Sequence, residues 1–142
     1  MALFSQDRIL VPIDFSDQSF LALKETLDFG NDATQIYAIH ILRPLEATEP
    51  GVVWQSVDTE TRKQAVEKNF QQEFPPGKHP GLEFIVDIGD PSSQILDYAE
   101  KLEVGLIVMP SRGRTGLSRF FMGSVAEKIV RFAHCPVLVL RH

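Results

Sequence analysis

The chain has 142 residues, a formal net charge of −5 and a single cysteine. That length supports one domain, residues 1–142, with a core that needs no disulfide or structural metal. The acidic balance excludes a general nucleic-acid binder, whose phosphate contacts need a broad basic face, and the lone Cys135 excludes an internal disulfide framework and fits a reducing compartment.

Met1 to Arg8 is too short and too polar for the apolar core of a signal peptide. No apolar run approaches the ~18 residues of a membrane span, so a cytoplasmic protein with no membrane partner is expected. Arg8 to Ile13 is an apolar run of strand length, and Ser16 then precedes a helical pattern carrying Phe20, Leu23 and Leu27 on one face. Pro12 interrupts this strand, because proline cannot donate to a ladder; it reads as the frayed C-terminal end, whose bend carries Asp14 to the mouth of the sheet. Gln35 to Leu42 is a second strand, and Pro44 to about Val57 is a long connection, of a length that is usually either a lid or simply mobile. From about Asp58 to Phe74, the residues Ala65, Val66, Phe70 and Phe74 recur at helical spacing.

Leu82 to Ile88 alternates like an edge strand. Asp90 and Pro91 supply an N-cap and a first-turn proline for a third helix with Ile95, Tyr98, Ala99 and Leu102 as its buried stripe. Val104 to Met109 is apolar throughout, as a strand covered on both faces must be, while Ser124 to Glu127 reads as a capping box opening a fourth helix. Pro136 to Leu140 is the last strand. Five strands alternating with four helices predict a doubly wound α/β fold with a mainly parallel sheet.

Between the fourth strand and the fourth helix lies "VMPSRGRTGLSRFFMGS", Val108 to Ser124, with no acidic residue. In an open α/β sheet the ligand crevice lies beyond the carboxyl ends of the strands, where this loop begins. Gly113, Gly116 and Gly123 let the backbone approach a ligand, and Gly123-Ser124 presents amides at a helix start, where an anion is favoured. Arg112, Arg114 and Arg119 add charge, while Ser111, Ser118 and Ser124 add hydroxyl donors. A phosphate cradle follows; solvated arginines and a plain helix cap are the competing reading. The two common nucleotide signatures, G-x-x-x-x-G-K-[ST] and G-x-G-x-x-G, are absent.

These residues carry a resemblance. The stretches "ILVPIDFS", "HIL", "GDPSSQIL" and, most specifically, "GRTGLSRFFMGSVAEKIVRFAHCPVLVLR" resemble a single-domain universal stress protein over nearly the whole chain. The nucleotide-binding branch of that family has the pattern G-x-x-G, nine residues, then G-[ST]. Gly113, the nine residues from Arg114 to Met122, and Gly123-Ser124 match it, but Pro110 stands where the first glycine would be. The resemblance implies the strand order 3-2-1-4-5 and a stress-response protein that binds magnesium ATP, with AMP and ADP as alternatives. It places Pro12, Asp14 and the backbone of Ile41 around the adenosine, Met109 and Pro110 beside it, and Gly113, Gly123, Ser124 and Val125 around the phosphates; Arg112 and Arg114 are further phosphate partners by their charge. It also implies a homodimer through Val137 to Leu140, a nucleotide-dependent regulator of an unidentified protein partner. The pattern alone predicts that Gly113→Val weakens binding and that Pro110→Gly tightens it.

Two other classes compete. An enzyme needs a poised nucleophile or an acid and base pair, and His40, His79, His134 and His142 show neither metal-ligand spacing nor an evident acidic partner; ATP hydrolysis is expected to be slow and incidental. A phosphorelay receiver needs an Asp after strand three and a Lys after strand five, yet Asp87 lies within strand three and Arg141-His142 follow strand five. A dimeric interaction module in which Pro110 has abolished nucleotide binding is the third reading.

Overall fold

A computed structural model describes residues 5–44, 55–111 and 123–141, with the backbone alone for 55–58. Along the chain run β1 (Arg8–Pro12), α1 (Asp17–Phe29), β2 (Gln35–Leu42), α2 (Gln55–Glu73), β3 (Leu82–Ile88), α3 (Pro91–Lys101), β4 (Leu106–Pro110), α4 (Ser124–Phe132) and β5 (Val137–Leu140). All four strand pairings are parallel, in the order β3-β2-β1-β4-β5. The doubly wound α/β fold and the order 3-2-1-4-5 are therefore those expected.

Alternation along the central strands divides the core in two. Ile9, Val11, Leu106 and Val108 point to the face covered by Ala22 and Leu23 of α1 and by Phe70 of α2. Leu10, Ile107 and Met109 point to the opposite face, against Ile95 and Ala99 of α3 and Ala126 and Ile129 of α4. Ile9, Leu10 and Ile107 are fully buried, and each such side chain contributes roughly 1.5–3 kcal/mol to the hydrophobic term. A strand buried on both faces has no polar positions, which is why β4 reads as a continuous apolar run.

Two helix starts follow the sequence rules. Ser16 accepts from the Ser19 amide at the N-cap of α1, and Asp90 accepts from the Ser93 amide at the N-cap of α3, with Pro91 in the first turn. The start of α4 corrects the expected capping box. Gly123 is the N-cap residue, Ser124 is already helical, and no side-chain cap bond is made there; the Glu127 amide bonds to the Gly123 carbonyl instead. A Ser at the first helical position cannot reach forward to the amide that an N-cap hydroxyl would take. Helix α2 begins at Gln55, inside the segment expected to be connection. No helix among the described residues is long and apolar enough to cross a membrane.

Candidate functional site

Pro12 corrects one detail of the first strand. It is not frayed on the β2 side, where it pairs with Ile39, and the next amide, Ile13, still donates to the Ile39 carbonyl at 2.7 Å. On the β4 side the pairing of β1 stops at Leu10 and Ile107. Beyond that point β1 and β4 part, and a cavity of about 330 Å³ opens between their carboxyl ends. This is the topological switch point of the sheet, since β1 connects onward to β2 on one side and β4 onward to β5 on the other.

The turn leaving β1 forms one wall. Asp14 accepts from the Ser16 amide at 3.0 Å and from the Ser16 hydroxyl, so the carboxylate closes an Asx-type turn while Ser16 caps α1. Between them Phe15 holds φ 64, a conformation costly for an aromatic residue, of the order of 1–3 kcal/mol. Packing holds it there: the Phe15 ring stands edge-on to His40 at 4.9 Å and to Phe20 at 5.5 Å. His40 Nδ1 lies 2.6 Å from the Ile13 carbonyl, an acceptor, so this nitrogen carries the proton and donates. The end of β2 thus braces the end of β1 and fixes where Asp14 faces the cavity.

The opposite wall is the end of β4 and the start of α4. Met109, Pro110 and Ser111 line the cavity together with Gly123, Ser124, Val125 and Ala126. Unlike α1 and α3, α4 meets the cavity with its first amides uncapped by any described side chain, and such amides, with the helix dipole, favour an acceptor or anion. The end of β2 contributes Arg43.

Of the residues singled out in the sequence, Pro12, Asp14, Met109, Pro110, Gly123, Ser124 and Val125 come together around this one cavity. Ile41 is not part of the lining; it is buried in the cluster that includes Ile95 and Met109, both of which are. Arg112, Gly113 and Arg114 lie outside the described residues. Ile13, Ser19, Arg43, Ile95 and Ala126 also line the cavity and were not singled out. Arg43 could have been found, because it follows the strand adjacent to β1 and strand ends line the crevice. Ser19 could not, because its place depends on the angle at which α1 leaves the Asp14 turn. No group of three or more His, Cys, Asp or Glu side chains able to hold a metal occurs among the described residues.

The fold and the cleft define a doubly wound α/β domain with a ligand crevice at its switch point. The universal stress protein family model matches residues 6–141, and the chain belongs to that family. It is 31% identical to universal stress protein MJ0531 of Methanocaldococcus jannaschii over 139 residues, covering 94% of this chain and 81% of the relative. Universal stress protein YxiE of Bacillus subtilis is 30% identical, with 95% and 99% covered. Among solved structures, that of the hypothetical protein MJ0577 superposes with a TM-score of 0.76 at 25% identity over 96% of both chains.

Proposed function

We propose that the cavity binds an adenine nucleotide, ATP carried with magnesium, with AMP and ADP as weaker alternatives, and that the protein acts as a dimeric nucleotide-dependent regulator with no chemical step of its own. The observation that carries the reading is the uncapped start of α4 on a cavity at the switch point. The amides of Ser124 and Val125 are oriented for phosphate oxygens, with Gly123 admitting close approach and Arg112, Gly113 and Arg114 joining from the loop. Pro12, Asp14, Met109 and Pro110 hold the adenosine, and the Ile41 backbone stands behind them. The volume suits a nucleotide partly exposed to solvent, since small-molecule sites run from about 300 to 1,000 Å³. Magnesium arrives on the phosphates, which is the usual way this ion is held. Two more distant universal stress protein structures are complexes with cAMP and with dAMP; their likeness to this chain is one of fold, and they lend the nucleotide reading support by analogy.

The dimer follows from the sheet edge. Strand β5 is an outer strand and Leu138 on it is 43% exposed. An apolar edge favours pairing with another chain, and two-fold symmetry makes a self-complementary contact between two β5 strands the natural cover.

Calorimetric titration with magnesium ATP, and with AMP, tests the reading in the wild type and in Ser124→Pro. Gly123 has φ −63 and ψ 161, the extended conformation a following proline requires, and proline is well tolerated at the first helical position. The variant therefore removes one amide and leaves the helix intact. Micromolar ATP binding that weakens about tenfold or more in the variant is expected, from the loss of one charge-assisted bond. No binding at millimolar ATP by a protein that is dimeric in light scattering would replace the proposal with an interaction module lacking nucleotide.

A further inference from the structure

The gap between β1 and β4 has a cause that can be read from the ladder. On β1 the Ile13 amide donates toward β2, so the odd-numbered residues face β2 and Leu10 and Pro12 face β4. On β4 the Ile107 amide donates to the Pro136 carbonyl at 3.0 Å and the Ser111 amide to the Leu140 carbonyl at 2.9 Å. Odd-numbered residues there face β5, and Val108 and Pro110 face β1. The register pairs Leu10 with Ile107. Continuing it requires the residue 12 amide to donate to the Val108 carbonyl, and the residue 110 amide to donate to the Pro12 carbonyl. Both donors are proline nitrogens, which carry no hydrogen. Two successive rungs are deleted, one from each strand, while β4 stays paired to β5 as far as Pro110 and Leu140.

The carbonyls of Pro12 and Val108 are thereby left facing the split without the donors the ladder would supply. Pro12 and Pro110 line the cavity, and Val108 is buried two residues before Pro110 on β4. The backbone of the two strand ends offers acceptors and no donors to this part of the cleft. We infer that Pro12 and Pro110 are specificity-determining residues, which hold open an acceptor slot that selects a hydrogen-bond donor on the ligand, an exocyclic amine or a ribose hydroxyl. A ring carbonyl placed there would set acceptor against acceptor. The identity of the ligand rests on the nucleotide reading above; the slot itself does not. The expected sign for restoring an amide at position 110 also reverses. Instead of supplying the ligand with a donor, the amide closes onto the Pro12 carbonyl and competes with the ligand.

Two measurements test this together. In the unliganded Pro110→Ala and Pro12→Ala variants, the new amides at 110 and 12 are followed by hydrogen exchange. Protection comparable to that of the Ile107 amide is expected, whereas exchange at the rate of an unstructured amide at both positions would overturn the slot. Alongside, AMP, IMP, 2′-deoxy-AMP and 3′-deoxy-AMP are titrated into the wild type and Pro110→Ala. The variant should bind AMP about threefold to tenfold more weakly, the worth of one ordinary hydrogen bond. One analogue should lose a similar factor in the wild type and lose little more in the variant: IMP if the amine occupies the slot, a deoxy analogue if a hydroxyl does. Unchanged or tighter AMP binding by Pro110→Ala would sink the inference. Absence of nucleotide binding in the wild type would remove the nucleotide reading, and a protected residue 110 amide would then uphold the slot for a donor ligand of another class.

Discussion

Two seams of one sheet are built from the same kinds of residue and end differently. Strands β2 and β3 pair without interruption from Ile36 and Leu82 to Leu42 and Ile88, whereas β1 and β4 pair only through Ile9 and Leu10. The closed seam has an amide at every rung and a covering of aromatic side chains. The open seam has a proline on each side, placed where each nitrogen faces the other strand. Burial is no weaker at the open seam, since Leu10, Val11, Leu106 and Ile107 are nearly or wholly inaccessible. The difference teaches that hydrophobic packing holds two strands side by side while the donors decide how far they zip. A site can therefore be opened in the middle of a sheet without loosening its core.

The largest expected effect is on the closed seam. Phe70 of α2 is buried and stacks on Phe84 of β3, centroids 3.9 Å apart and rings nearly parallel. Phe70→Ala should cost about 3–5 kcal/mol in denaturant unfolding and leave any affinity of the remaining folded protein for the nucleotide proposed above unchanged. A large loss of affinity would mean that the two seams are coupled.

A smaller loss is expected where the closed seam begins. The Ile36 amide bonds to the Gly81 carbonyl at 2.7 Å, and a Cβ at Gly81 would meet the Thr34 carbonyl oxygen at 2.5 Å. Because the obstacle is backbone, Gly81→Ala should push the strands apart at this end and cost about 1–3 kcal/mol, with faster exchange of the Ile36 amide as the local sign. Unchanged stability and exchange would show that the seam can give there.

The smallest effect lies at the far end of the same seam. The Tyr98 hydroxyl donates to Asp87 at 2.6 Å, and the Ile88 amide donates to the other carboxylate oxygen. Burial alone would raise the Asp87 carboxyl; Tyr98, the Ile88 amide and the charges of Lys63 and Lys101 outweigh it and hold the group below its ordinary 3.8. The Tyr98 hydroxyl is pushed up to about 12, by its bond to Asp87 first, then by burial and the carboxylate charge. Tyr98→Phe should cost about 1 kcal/mol at neutral pH. The sign of the pH dependence follows from the two shifts. The carboxylate's contribution is present above pH 3.8 and is lost as pH falls below it, while the hydroxyl's is present below pH 10 and is lost as pH rises toward 12. The stability difference between wild type and variant should therefore be flat from about pH 5 to 9 and shrink at both ends; a difference that grows on acidification would contradict this assignment.

Much of the fold was legible because it rests on periodicity and local chemistry. The continuous apolar run of β4, the Asp90-Pro91 entry to α3 and the Ser16 cap of α1 each express a rule that acts within a few residues. The start of α4 differs from its expected form because the spacing of Ser124 and Glu127 matches a capping box only if Ser124 is the N-cap, and the course of the backbone makes Gly123 the N-cap instead. Most of the candidate site was legible through strand ends and the glycine-rich pattern. Arg43 was legible in the same way, as the residue after a strand end, whereas Ser19 and Ile95 were not, because they reach the cavity from helices whose placement no local pattern encodes.

By itself, then, the sequence determined the strand and helix types, the doubly wound class, and the presence of prolines at the ends of two strands. That those strands are neighbours, and that each proline nitrogen is directed at the other strand across the split, was decided by the tertiary structure. The physical reason is that a missing donor has a local cause and a non-local consequence. Each proline deletes its own amide wherever it stands, but whether that leaves solvent, a frayed edge or an acceptor-lined cleft depends on which strand the register brings opposite.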